Sequence, residues 1–115
     1  ECKMELVAID HDDTLVITAN TTRIDASVAI QFKDQMRELA NQTSERVVLD
    51  LGQVEFIDSS GLGAIVAAMK LVGADRKLEL ANLTSTVAKV FKLTRMDTIF
   101  TIHENFATGP TSYAG

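Results

Sequence analysis

Residues 47–51, Val-Val-Leu-Asp-Leu, carry apolar side chains at four of five positions without alternation. A strand with one wet face alternates polar and apolar residues, so a run of this kind is covered on both faces. It therefore belongs in the middle of a mostly parallel sheet, and parallel neighbours must be joined by crossover segments, usually helices. The flanking sequence supplies them. Residues 4–9 and 14–19 are rich in β-branched and apolar side chains, and the polar run Asp10-His11-Asp12-Asp13 between them predicts a turn joining two neighbouring strands. Asp25 stands where an N-cap would accept the first free amides of a helix carrying Val28, Phe32, Met36, Leu39 and Ala40 at helical spacing and fading near Asn41-Gln42-Thr43.

Beyond the central strand, residues 53–57 lead off its end with Val54, Phe56 and Ile57 expected inside. A second helix is predicted over 59–72, with Gly73 as its stop. Residues 77–81 predict a strand with Leu78 and Leu80 on one face, residues 84–93 a third helix with Val87, Val90 and Phe91 inward, and residues 99–103 a last strand. Residues 105–115, with Gly109, Pro110 and Ser112, predict a flexible tail. The expectation is a single α/β domain over 1–104, with a mixed, mostly parallel sheet of about five strands, three or four helices and right-handed crossovers.

Composition narrows the function. Hydrophobic residues make up 46% of the 115-residue chain, enough for one packed core without a separate catalytic domain. A net charge of −5 and a pI near 4.9 oppose binding to nucleic acid or to anionic lipid. The longest weakly charged run, 59–72, is shorter than the roughly 20 residues of a membrane span. The acidic run 10–13 breaks any signal-like segment, and the single cysteine, Cys2, fits a reducing cytoplasm.

Other chemical constellations are thin. Adjacent residues in Asp10-His11-Asp12-Asp13 point alternately, and a solvated turn explains them more simply than a metal site. His103 reads as a strand-end residue, and Cys2 has no His–acid arrangement to activate it. Gly61-Leu62-Gly63 lacks the remaining residues of any nucleotide loop, so neither metal nor cofactor is assigned and no catalytic residue emerges.

The strand-to-helix turn Phe56-Ile57-Asp58-Ser59-Ser60-Gly61-Leu62-Gly63 is where function gathers in an open α/β sheet. Ser59 occupies the expected N-cap position, and a phosphate placed there would meet free amides and the positive end of the helix dipole. Ser60 is the alternative acceptor, expected to be less accessible inside the first turn. Along the helix, Leu62, Ile65, Val66, Met69 and Val72 predict the buried face. Gly63, Ala64, Ala67, Ala68 and Leu71, with Lys70 at the edge, form a small-residued, nearly neutral opposite face suited to docking. The competing explanation of the serine is a plain helix cap.

These residues resemble the STAS domains, in particular the stand-alone anti-sigma factor antagonists of bacteria. The resemblance runs through 47–51 and 56–63, Arg23-Ile24-Asp25-Ala26, and Val90-Phe91-Lys92-Leu93-Thr94-Arg95-Met96-Asp97 leading to Ile99-Phe100. It implies partner switching by a non-enzymatic, cytoplasmic protein. The unmodified form binds and sequesters an anti-sigma factor that is also an ATP-dependent serine kinase. That kinase phosphorylates the first serine of the turn, here Ser59, and is released; a PP2C-type serine phosphatase resets the switch. The implied partner face comprises Arg23, Ile24 and Asp25 with Asp58, Ser60, Gly61, Leu62, Gly63, Ala67 and Leu71. The chain departs from the family pattern at Thr22 and Arg95, where glycine is frequent, and in the short space left for a final helix at 104–108. Two alternatives accompany this reading: an unmodified structural STAS module of a larger signalling or lipid-transport complex, and a small-ligand or nucleotide-binding STAS domain.

Overall fold

The computed structural model describes residues 5–11, 13–40, 46–73 and 78–104. Strands β1 (Glu5–His11) and β2 (Thr14–Asn20) form an antiparallel hairpin in which His11 pairs with Thr14. Asp13 closes the turn with a φ of 62°, a left-handed conformation that Asp tolerates better than most residues. Next come β3 (Arg23–Ile24), α1 (Ala29–Ala40), β4 (Arg46–Asp50), β5 (Phe56–Ile57) and α2 (Ser59–Val72). The order ends with β6 (Leu78–Ala81), α3 (Ser85–Leu93), a 3₁₀ turn (Met96–Thr98) and β7 (Thr101–His103).

The main sheet has the order β1-β2-β4-β6-β7, antiparallel only between β1 and β2. β4 lies at its centre, and Val47, Val48 and Leu49 are fully buried, as the unbroken apolar run requires. Asp50 is buried beside them because its Oδ1 accepts the Gly52 amide at 2.8 Å. The core joins Leu15, Ile17, Val47, Leu49 and Leu80 of the sheet to Phe32 and Met36 of α1, Ile65 and Ala68 of α2, and Phe91 of α3. Phe91 meets Phe100 edge-on with ring centroids 5.9 Å apart.

Several local expectations shift. α1 begins at Ala29, and Asp25 caps the single turn before it: its Oδ1 accepts the Ser27 amide, while Val28 N–H donates to the Asp25 carbonyl. β7 starts at Thr101 because the 3₁₀ turn occupies 96–98 and leaves Ile99 exposed. Met4, Cys2, Asp12, the helix fade at 41–43, Lys77 and the tail 105–115 lie outside the described residues.

Arg95 adopts the left-handed conformation at the end of α3, with φ 64° and ψ 16°. An L-residue with a Cβ costs about 1–2 kcal/mol there and glycine does not. Arg95→Gly is therefore expected to raise the thermal midpoint, by a net of about 0.5–1 kcal/mol after the greater freedom of glycine in the unfolded chain is subtracted. An unchanged or lowered midpoint would contradict this.

An ion network crosses three neighbouring strands. Glu79 of β6 accepts both Arg46 Nε at 3.0 Å and Nη2 at 2.6 Å from β4, and its Oε1 lies 2.6 Å from His103 Nε2 of β7. The Arg46 hydrogen bonds, and secondarily that of His103, hold the Glu79 carboxyl below the usual carboxylate range despite its burial. A carboxylate whose pKa is depressed by folding adds stability that is complete above its unfolded value. That stability fades as pH falls through the lower, folded value. The wild type should thus lose stability in acid, below about pH 4.5, and Glu79→Gln should flatten that part of the pH–stability curve. Identical acid slopes in chemical denaturation would show that the network contributes nothing.

Candidate functional site

β3 and β5 form a separate two-stranded parallel pairing, Arg23 beside Phe56 and Ile24 beside Ile57. No sequence pattern announces a two-residue strand, and this pairing is what brings the loop before α1 to the turn before α2. The Thr22 carbonyl accepts the amides of Glu55 at 2.7 Å and Phe56 at 3.2 Å, so the Thr at that position serves through its backbone. Alternation across the pair turns Ile24 and Ile57 inward and Arg23 and Phe56 outward. Phe56 is thus exposed, correcting its expected burial, while Val54 and Ile57 are buried as expected.

The N-cap of α2 is Asp58, not Ser59. Asp58 has extended backbone and its Oδ1 accepts the Gly61 amide at 2.8 Å. Ser59 is the first helical residue, exposed, with its hydroxyl unbonded among the described residues. The shift follows from chemistry: a carboxylate at the cap also meets the positive helix end. The serine is thereby released from a capping duty. Ser60 is exposed as well, so its hydroxyl is more accessible than its place in the first turn suggests.

Gly61 is buried against β3. A Cβ at this position would stand 2.0 Å from the Ile24 carbonyl oxygen and 2.8 Å from its carbon, so α2 approaches β3 closely only because residue 61 has no side chain. Ile24, Gly61 and Leu62 all lie beneath the surface and shape it, whereas Gly63 is open, with free space where a Cβ would stand. The inward stripe of α2 is Gly61, Leu62, Ala64, Ile65, Ala68 and Val72. Ala64 and Ala68 therefore belong to the core and not to the docking face, while Val66 and Met69 are only half-buried. The stripe is rotated from the expected one because α2 packs against α1 as well as against the sheet. What remains outward is Gly63 and Lys70, with Ala67 and Leu71 half-buried at the edge.

Beside the turn, Asp25 is tied on both oxygens. Oδ1 accepts the Ser27 amide and hydroxyl, and Oδ2 accepts Arg23 Nε at 2.8 Å. The Ser27 hydroxyl, and then the Arg23 guanidinium, hold its carboxyl below the ordinary range. The Arg23 guanidinium lies over the Phe56 ring, 5.0 Å from its centroid. Among the described residues no group of three or more His, Cys, Asp or Glu is placed to hold a metal ion, and no helix is long and apolar enough to cross a membrane.

This arrangement has known counterparts, because residues 5–109 match the STAS domain family. The chain is a STAS domain. The anti-sigma F factor antagonist of Paenibacillus polymyxa is 24% identical to it over 101 residues, covering 86% of each chain. An anti-sigma factor antagonist from Mycobacterium paratuberculosis superposes with a TM-score of 0.80 at 21% identity, over 90% of this chain and 88% of that one. The anti-sigma factor antagonist SpoIIAA in its unphosphorylated form gives a TM-score of 0.67 at 22% identity, over 87% of each chain. The phosphorylated form of SpoIIAA from Bacillus gives 0.60 at 21%, over 87% and 90%. These structures share the α/β STAS architecture described above, with its three helices and five-stranded mixed sheet.

Proposed function

We propose that this STAS domain is an anti-sigma factor antagonist that acts by binding, not by catalysis, in the cytoplasm. Its unmodified form sequesters an anti-sigma factor with ATP-dependent serine kinase activity. Phosphorylation of Ser59 releases that partner, and a PP2C-type phosphatase restores binding. The observation that carries this reading is the division of labour at the turn. Asp58 caps α2, which leaves the exposed Ser59 hydroxyl available for modification without loss of the cap. Support also comes from the anti-sigma factor antagonists among the relatives, one of which, SpoIIAA, is known in both phosphorylated and unphosphorylated forms.

The partner face in this reading runs from Arg23 across Asp58, Ser59 and Ser60 to Gly63, Ala67 and Leu71, with Ile24, Asp25, Gly61 and Leu62 supporting it from behind. Since both serines are exposed, accessibility alone does not choose between them. The test is mass spectrometry after incubation with the organism's anti-sigma kinase and ATP. One phosphate should appear on Ser59, disappear in Ser59→Ala and persist in Ser60→Ala. Labelling that survives Ser59→Ala would move the switch elsewhere.

A further inference from the structure

Phe56 is the one exposed aromatic side chain among the described residues, 43% exposed where a phenylalanine is ordinarily inside. Nothing about it is loose. Its backbone is held by β3 through the Thr22 carbonyl and the Arg23–Phe56 register, and the Arg23 guanidinium lies against the ring. Arg23 is in turn fixed by Asp25, and Asp25 by Ser27. The Arg23 side chain is 58% exposed, and its ion pair with Asp25 runs through Nε, which leaves the rest of the guanidinium accessible beside the ring. Arginine is among the residues that carry most binding energy at protein interfaces, and a pre-ordered arginine and ring give up little further entropy on binding.

We infer that Phe56 and Arg23 form the anchor for the kinase partner, which lays an apolar side chain on the open part of the ring and offers a carboxylate to the guanidinium. Asp25, with both oxygens engaged within the domain and its side chain only 15% exposed, is a positioning residue for Arg23 and not itself the contact. This inference rests on the partner-switching reading, because the anchor is continuous with the Ser59 turn: β5 leads directly through Asp58 into α2.

The experiment is calorimetric titration of the purified anti-sigma kinase of the same organism with the full chain and its variants. Phe56→Ala should weaken binding at least tenfold with an unchanged melting midpoint, and Phe56→Tyr should retain it. Arg23→Ala should also weaken binding. Asp25→Ala should do so by acting through Arg23, so the double variant Arg23→Ala/Asp25→Ala binds no more weakly than Arg23→Ala alone. If wild type binds and Ser59→Asp releases it, yet Phe56→Ala binds as tightly as wild type, the anchor is wrong while partner switching stands. Additive losses from Arg23→Ala and Asp25→Ala would make Asp25 a direct contact and overturn its positioning role. If wild type does not bind the kinase at all, the partner-switching reading fails and the anchor with it.

Discussion

Replacing Gly61 by Ala is expected to destabilise the domain by about 3 kcal/mol or more, or to prevent folding, because overpacking against immovable groups reaches that range. The added Cβ would fall 2.0 Å from the Ile24 carbonyl oxygen. That oxygen belongs to the short β3–β5 pairing and also receives the Asp58 amide at 3.4 Å, so it has no rotamer through which to retreat. α2 must instead lift off β3, uncovering Leu62 and Ile65, which the core holds at 9% and 0% exposure. Alanine's better helix propensity offsets only about 1 kcal/mol of this. Gly63→Ala provides the matching control, since no atom lies within 4 Å of its would-be Cβ. Two residues apart on one helix, the same substitution should have opposite signs. Chemical denaturation of both variants measures it, and a Gly61→Ala domain as stable as wild type would mean that the close approach is not there.

The second large effect concerns binding. Ser59→Asp should lower affinity for the ATP-loaded kinase by about a hundredfold. In the proposed switch the nucleotide's phosphates come close to residue 59 during transfer, and like charges about 6 Å apart at an effective dielectric near 20 repel by ~3 kcal/mol, which corresponds to that factor. Phosphoserine, with about −1.5 to −2 charges, should act more strongly still. The domain itself should hardly respond. Asp58 keeps the cap, Ser59 is exposed, and a negative charge at a helix start is favourable by ~0.3–1 kcal/mol. Isothermal titration paired with a thermal melt separates the two quantities. Equal affinity for wild type and Ser59→Asp would remove the electrostatic switch, and an unfolded variant would show that residue 59 has a structural task.

How much of the chain is legible depends on the range of the interaction in question. Residues 47–51 announce a strand covered on both faces, and β4 is the centre of the sheet. The bounds of α2, from Ser59 to Val72 with Gly73 beyond, follow from apolar residues at helical spacing between a cap-type turn and a terminal glycine. Phe56 faces outward although its apolar side chain predicts burial, because its direction is set by pairing with Arg23, far away in sequence. The same holds for Ala64 and Ala68, whose burial depends on α1 lying against α2. The cap of α2 lies one residue before the expected serine: Asp58 and Ser59 are both good cap residues, and the carboxylate gains the added attraction of the positive helix end.

The order of the longer strands and helices, the identity of the central strand and the location of a serine at the start of α2 are all encoded in windows of a few residues, because hydrophobic periodicity is a local property. The obligatory glycine at 61 and the outward Phe56 beneath Arg23 arise only when β3 pairs with β5 under the start of α2. Which backbone will come within contact of which is a property of the assembled chain, and no local pattern in the residues records it.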